Sequence, residues 1–167
     1  MSRVPAAHSR TDVPADVDAV TEAVLTASRL LVAVSARSIA AAGEAITLPQ
    51  FRLLVILHSR GPLKHAALAE LLGVTPSTAS RMVDRLVAVD MVARQGNPSS
   101  RREVVLELTR EGARIVRLVT NRRRREIAKI VENMPENARH GLIDVLTAFA
   151  EAGGEPPAGT TADAGWG

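Results

Sequence analysis

The sequence contains no cysteine and very few aromatic residues: two phenylalanines, one tryptophan and no tyrosine in 167 residues. The absence of cysteine excludes disulfides, thiolate metal sites and thiol-based redox sensing, and it is compatible with a reducing cytosol. A core without aromatic rings must be built from Leu, Val, Ile and Ala, which suits packed helices better than a β-sandwich. Hydrophobic residues make up 46% of the chain, which is enough for one domain with a substantial core.

Signals for membrane insertion, secretion and catalysis are also missing. No apolar run approaches the roughly 18–20 residues of a transmembrane helix, so we expect no membrane span. The N-terminal segment has Arg3 and Arg10 but no apolar stretch, so we expect no signal peptide. The sequence has no glycine-rich phosphate loop, no G-x-S-x-G and no H-E-x-x-H, which predicts a protein without enzymatic activity, catalytic residues, bound metal or cofactor.

The feature that is present is a hydroxyl-rich segment, TPSTAS at 75–80, followed at once by arginines. Between Thr75 and Arg102 there are five arginines against two aspartates, an excess that equals the net charge of +3 of the whole chain. Basic charge concentrated in one segment indicates a nucleic-acid partner. A solvated surface with scattered arginines is the alternative.

Apolar residues recur at spacings of three and four along most of the chain, which predicts a mainly helical protein. The expected helices are 16–42, 49–59, 64–72, one that begins at Pro76 with Thr75 as its N-cap, one from 110 to about 133, and 136–151. Two strands are expected at 91–94 and 103–108, joined by a turn-rich loop into a hairpin. Three short helices followed by a hairpin are the order of a winged helix-turn-helix.

The helix that begins at Pro76 is the predicted recognition helix. Its N-terminus offers unpaired N–H groups and partial positive charge, which suit a phosphate. Small hydroxyl side chains allow close approach to a major groove, and the arginines one turn further on can reach phosphates or a guanine. The predicted DNA contacts on this helix are Thr75, Pro76, Ser77, Thr78, Ser80, Arg81 and Arg85, and Lys64 and His65 at the start of the preceding helix are candidate phosphate contacts.

The stretch LAELLGVTPSTASRMVDRLVAVDMVARQGNPSSRREVVLELTREG resembles the DNA-binding core of the MarR family of bacterial regulators. The resemblance rests on the LA-x-x-L-G-V turn, the hydroxyl-rich helix start, the M-V-D-R-L run, the D-M-V-A-R strand entry, the N-P-S-S-R-R tip and the L-T-R-E-G exit. With the flanking helices it extends over about 16–152. It implies a mainly α fold with a small β-hairpin wing, in which a winged helix-turn-helix core is flanked by dimerisation helices.

The resemblance also implies a homodimer that binds double-stranded DNA as a cytoplasmic, nucleoid-associated repressor with a pseudo-palindromic operator. The expected organisation is a flexible tail at 1–15, a dimerisation helix and connector at 16–47, the winged helix-turn-helix at 48–108, dimerisation helices at 109–151 and a flexible tail at 152–167. A small-molecule effector is expected in a pocket lined by the first, second and fifth helices. Urate is disfavoured as this effector, because the first helix lacks the tryptophan of the urate-responsive branch.

The wing tip supplies the other predicted DNA contacts, Ser99, Ser100, Arg101 and Arg102. In the resembled family an acidic residue followed by basic ones commonly occupies this tip, with an arginine in the minor groove, and we assign that role to Arg102. The acidic position is Ser100 here, which leaves open how the arginine is buttressed. Asp84 and Glu103 are the carboxylates considered as replacements.

Two other functions stay open at this stage. A winged-helix module that binds proteins rather than DNA would keep the core pattern without needing the basic tip. A metal-responsive repressor would need a site such as His58, His65 and a glutamate, although the histidines are scattered along the chain. The four arginines at 122–125 face nearly all directions of a helix, so we expect most of them to be solvated, with one or two paired to Glu126 or to a neighbouring helix.

Overall fold

A computed structural model of the protein describes residues 12–43, 46–97 and 100–155. Over these residues the chain forms six helices and three strands. The helices are α1 (Asp12–Ala40), α2 (Leu48–Arg60), α3 (His65–Leu72), α4 (Pro76–Ala88), α5 (Arg110–Glu132) and α6 (Glu136–Ala152), and the strands are β1 (Leu63–Lys64), β2 (Val92–Asn97) and β3 (Ser100–Leu108). The expected winged helix-turn-helix is confirmed, with a small three-stranded sheet in place of a hairpin alone.

The first helix begins at Asp12, four residues before the expected start, so part of the expected N-terminal tail is helical. The first N–H groups of a helix have no partner within the helix, so a proline such as Pro14 is tolerated in the first turn. At the other end, Ala152 of the expected C-terminal tail is the last residue of α6. The expected tail residues 1–11 and 156–167 lie outside the described residues.

The expectation that no segment could cross a membrane needs correction. Within the described residues, Asp16–Ala40 of α1 is long and apolar enough to do so, with a mean hydropathy of 1.5 in its most apolar window. An expectation based on uninterrupted apolar runs overlooks such a helix. Isolated charged residues interrupt the run, but the mean hydropathy of the segment stays high. Length and composition of this kind do not distinguish a membrane span from a helix that packs against another protein chain, so they are weak evidence for a membrane.

One hydrophobic core fills the space between α2, α3, α4, the sheet and the N-terminal half of α5. Each of these elements contributes fully buried aliphatic side chains, among them Leu53, Leu57, Leu68, Val83, Leu86, Leu106, Ile115 and Val119. Ile39 fixes the C-terminal end of α1 to the same core. Phe51 is the aromatic member of this cluster, and the other members are aliphatic or Met. This agrees with the core of Leu, Val and Ile that the composition predicts.

Three helices begin at threonine caps: Thr47 at α2, Thr75 at α4 and Thr109 at α5. At α2, Thr47 Oγ1 accepts a hydrogen bond from the Gln50 N–H (3.4 Å), and Gln50 Oε1 accepts one from the Thr47 N–H (2.8 Å). This capping box places the start of α2 at Leu48, next to the expected Pro49. At α5, Thr109 Oγ1 accepts from the Gly112 N–H (3.0 Å), which confirms the expected cap.

The sheet has the strand order β1-β3-β2, with both pairs antiparallel. β2 and β3 form the wing, and their register runs from Val92 opposite Leu108 to Gly96 opposite Val104. It then shifts, so that Asn97 pairs with Ser100 and three residues of β3 have no place in the regular ladder. The strands therefore extend closer to the tip than expected, and the irregularity falls at 101–103.

Half of α1, half of α5 and all of α6 lie beyond the core. Within α6, which is described in full, no residue is buried, and Ile143 and Phe149 are 71% and 57% exposed. On the N-terminal half of α1, Val17 and Val20 are more than half exposed. Large apolar side chains exposed together indicate a surface that another molecule covers.

Candidate nucleic-acid interface

The recognition helix α4 starts as the sequence predicted. Gly73 ends α3 in the left-handed region (φ 67°), which glycine adopts without strain, and turns the chain into Thr75. Thr75 Oγ1 accepts a hydrogen bond from the Thr78 N–H (3.3 Å) and lies 3.1 Å from Ser77 Oγ and 3.0 Å from Thr78 Oγ1. The hydroxyls thus form one cluster around the helix N-terminus, where partial positive charge favours an anion.

The side of α4 opposite the core carries the predicted DNA contacts. Ala79, Val83 and Leu86 are buried, which orients the helix. Thr75, Pro76, Ser77, Arg81 and Arg85 are exposed, and Thr78 and Ser80 are half-buried. Ser77 and Arg81 lie one turn apart and therefore share a face. The seven predicted residues are brought together on one accessible surface.

Of the predicted wing contacts, the structure describes only the backbone of 100–102. Ser99 lies outside the described residues, and so do the side chains of Ser100, Arg101 and Arg102. The backbone of the last three lies in β3 at the irregular tip. The wing therefore carries these residues at its end, and their contacts stay a prediction.

Asp84 has a different partner from the one considered in the sequence. It accepts a hydrogen bond from the Arg94 guanidinium of β2, in an ion pair that links the recognition helix to the wing. Both side chains are exposed, so the pair is worth at most about 1 kcal/mol. Sequence reasoning missed Arg94 as part of the site, because the pairing depends on how β2 docks against α4.

The start of α3 lies beside the wing because β1 pairs with β3. Leu63 is opposite Leu106, and Lys64 is opposite Val105. Lys64 is exposed, and His65 is half-buried. The His65 Nε2 atom is buried and has no hydrogen-bond partner among the described residues. Both remain candidate phosphate contacts.

The other basic and metal-binding candidates are not brought into this interface. Burial and then the charge of Arg117 lower the pKa of His58 below its ordinary value. Across the described ranges no group of three His, Asp or Glu residues could hold a metal ion.

In the run at 122–125 the arginines are exposed except for the half-buried Arg123. Glu126, the expected partner of one of them, pairs with Lys129 (3.3 Å).

Two hollows lie near the junction of α1, α2 and α4. The first, of about 370 Å³, is lined by Ile46, Thr47, Gln50, Arg85, Leu86, Ala88 and Val89. The second, of about 340 Å³, is lined by Ala36, Ile39, Ala40, Ile46 and Leu48. The described lining of both hollows contains no residue of α5, so neither of them is the expected pocket between the first, second and fifth helices.

The helix-turn-helix, the wing and the polar, basic face of α4 together define a winged-helix DNA-binding protein. The model of the MarR family matches residues 46–104. The crystal structure of RV1404 from Mycobacterium tuberculosis is 56% identical, with 91% of this chain and 99% of that chain covered and a TM-score of 0.80.

Two Bacillus subtilis proteins extend this comparison. The HTH-type transcriptional regulator YfiV is 25% identical over 107 residues, which are 64% of this chain and 67% of YfiV. The repressor MdtR is 38% identical over 69 residues, so this chain spans 44% of MdtR's length. The chain belongs to the MarR family of transcriptional regulators, which are DNA-binding proteins rather than enzymes, and the identification made from the sequence is confirmed.

Proposed function

We propose that the protein is a homodimeric, ligand-responsive repressor that binds a pseudo-palindromic operator in the cytoplasm, on the nucleoid. The observation that carries this proposal is the exposed hydroxyl and arginine face of α4, turned away from the core. Ser77 and Arg81 would bind base edges or phosphates of the major groove. Arg101 and Arg102, at the tip of the wing, would reach the neighbouring minor groove.

The dimer is supported by the part of the molecule that has no core of its own. The apolar side chains of α6 and of the outer half of α1 are exposed to solvent in a single chain. In addition, Arg123 Nε is buried without a hydrogen-bond partner in the described part of the chain. A second copy that covers these helices would bury the apolar surface and could supply the missing acceptor. Such packing also accounts for the high hydropathy of α1 without a membrane.

The effector is proposed to occupy the hollow beside the C-terminal end of α4. Its volume of about 370 Å³ lies within the range of small-molecule sites. Leu86, Ala88 and Val89 offer apolar contacts, and Arg85 offers a cation to a polar or anionic group. A molecule bound there would touch the recognition helix directly, and it would change the position of that helix relative to α2.

The experiment that tests DNA binding is a fluorescence-anisotropy titration against DNA from the protein's own promoter region and against a scrambled duplex, at two salt concentrations. We expect preference for the native fragment and an affinity that falls steeply as salt rises, because phosphate contacts release counterions. Absence of binding at low salt would favour the protein-interaction module. Adding a chelator to the complex tests the metal-responsive alternative, and unchanged binding would argue against it.

Effector binding is tested on the same complex. Small aromatic and lipophilic acids are titrated into the protein–DNA complex, and release of DNA identifies a ligand. The variant Arg85→Gln keeps the hollow's shape but removes its cation, and because Arg85 is also a predicted DNA contact, the DNA affinity of the variant is measured first without ligand. A ligand that releases DNA from the wild type and from this variant equally does not use Arg85.

A further inference from the structure

The N-terminal end of α5 is hydrogen-bonded to the turn that follows the recognition helix. Asp90 has a φ of +56°, the left-handed region, and among the described non-glycine residues it alone has a positive φ. Its carbonyl oxygen accepts a hydrogen bond from Thr109 Oγ1 (2.6 Å). The next carbonyl, of Met91, accepts one from the Thr109 N–H (3.2 Å).

The same turn is in backbone contact with the helix itself. A Cβ atom added to Gly112 would lie 2.2 Å from the Met91 carbonyl oxygen and 2.8 Å from Leu108 Cδ1. Thr109 Oγ1 also accepts from the Gly112 N–H, so one hydroxyl caps α5 and holds the turn at once. We call Asp90, Met91, Thr109 and Gly112 the clasp.

The clasp lies where four elements meet. Asp90 is two residues beyond the end of α4, and Met91 directly precedes β2. Thr109 stands between the end of β3 and the start of α5. The recognition helix, both wing strands and α5 are therefore joined through main-chain atoms and the short side chain of Thr109.

We propose that the clasp fixes the angle between α5 and the DNA-binding lobe, and thereby sets the distance between the two recognition helices of the dimer. This inference rests on the proposed function and deepens it, because it assigns the spacing of the operator half-sites to named residues. α5 has 23 residues, which at 1.5 Å per residue give a length of roughly 35 Å. A tilt of about 10° over such a length moves its end by roughly 6 Å, which is large against the roughly 34 Å that separates half-sites one helical turn apart.

The key variant separates the clasp from the helix cap. In Thr109→Asp the carboxylate still accepts from the Gly112 N–H, since Asp is a good N-cap, but it cannot donate to the Asp90 carbonyl. Thr109→Ser keeps both bonds. Thr109→Ser is therefore the matched control, because it changes the same residue without removing either hydrogen bond. Folding of both variants is checked by circular dichroism.

The first readout is the distance between the two recognition helices. The chain has no cysteine, so Ala88→Cys places a single spin label on the exposed end of α4, and pulsed electron paramagnetic resonance measures the distance across the dimer. We expect a narrow distribution in the wild-type background and in Thr109→Ser, and a broadened or shifted one in Thr109→Asp. An unchanged distribution in Thr109→Asp would overturn the proposal whatever the DNA result.

The second readout is the spacing preference on DNA. Operators with one or two base pairs inserted or deleted between the half-sites are compared with the native spacing and with a single half-site. We expect Thr109→Asp to lose at least about fivefold of the preference for native spacing while its affinity for the single half-site stays the same. Equal preference in Thr109→Asp and Thr109→Ser would contradict the clasp. A wild-type protein that ignores the operator would contradict the proposed function instead, and the label distances would still test the clasp.

Discussion

Replacing Gly112 by alanine tests the close approach of α5 to the Met91 carbonyl oxygen. Alanine in place of glycine within a helix ordinarily stabilises a protein by about 0.5–1 kcal/mol. Gly112 is the third residue of α5, and the added Cβ would lie 2.2 Å from the Met91 carbonyl oxygen. The added Cβ is bonded directly to the Gly112 main chain, and the Met91 oxygen is itself a main-chain atom. No side-chain rotation therefore relieves the overlap.

The magnitude follows from the displacement that the overlap requires. Moving the Cβ to an ordinary contact distance shifts α5 by about 1 Å, which breaks the Thr109 N–H bond to Met91, now 3.2 Å long, and the Thr109 Oγ1 bond to Asp90. Two hydrogen bonds at about 1 kcal/mol each, with about 1–3 kcal/mol of overpacking, exceed the helix gain of about 1 kcal/mol. We therefore expect Gly112→Ala to destabilise the protein by about 2–4 kcal/mol.

The assay is urea unfolding followed by circular dichroism at one fixed protein concentration, since a dimer's stability depends on concentration. The control is Gly141→Ala in α6, where an added Cβ meets no atom of the same chain within 4 Å. We expect this control to be as stable as the wild type or more stable, by up to about 1 kcal/mol. A Gly112→Ala variant that gains stability like the control would refute the close approach and, with it, the geometry of the clasp.

Four further predictions address the interface, the dimer and pH. Phe149→Asp places a charge on the exposed apolar face of α6, so we expect it to weaken self-association in sedimentation velocity at micromolar concentration, and an unchanged sedimentation coefficient would mean that α6 lies outside the dimer contact. Arg102→Ala should reduce the salt dependence of operator affinity by about one unit per half-site contact, whereas an unchanged slope would remove this arginine from the interface. Ser77→Ala should cost roughly 1–3 kcal/mol of operator affinity if the hydroxyl bonds a base edge, and an equal small loss on every sequence in anisotropy titrations would show that it only positions the helix. Because burial and the charge of Arg117 lower the pKa of His58 from 6.5, the folded state takes up its proton less readily than the unfolded state. Stability is then complete above pH 6.5 and declines as the pH falls through 6.5 towards the lower folded-state pKa. Urea unfolding between pH 8 and 5 should show this decline in the wild type, and a decline of the same size in His58→Gln would assign it to other groups.

Local signals explain which elements could be predicted from the sequence. Thr75 and Thr109 precede their helices with hydroxyl caps that act within four residues, so neighbouring sequence alone identifies both starts. The capping box of Thr47 and Gln50 is a local signal of the same kind, because its T-x-x-Q pattern spans four residues. The seven predicted contacts on α4 rest on the Thr75 cap and on the hydroxyls and arginines that follow it, and their contact with DNA stays a prediction.

Interactions between distant segments explain what could not be predicted. β1 is two residues long and exists because Leu63 meets Leu106 across more than forty positions, so no local pattern marks it. Asp84 and Arg94 form an ion pair only when the wing folds back on α4. The close approach of Gly112 to Met91 likewise depends on two elements arriving at the same point. Each of these contacts needs the tertiary arrangement as well as the sequence.

The proposed effector hollow and the clasp meet at one turn, an arrangement that would connect ligand binding to operator spacing in the proposed repressor. Val89 lines the hollow, and it is the residue directly before Asp90 of the clasp. A ligand that moves Val89 must therefore move a residue held in the left-handed region, whose carbonyl is bonded to Thr109. Since strained backbone conformations persist only when their surroundings hold them, a small displacement there has few ways to be absorbed locally. In the proposed dimer it would be passed instead to α5 and to the partner protomer, and by this route a molecule bound beside one recognition helix would alter the distance to the other.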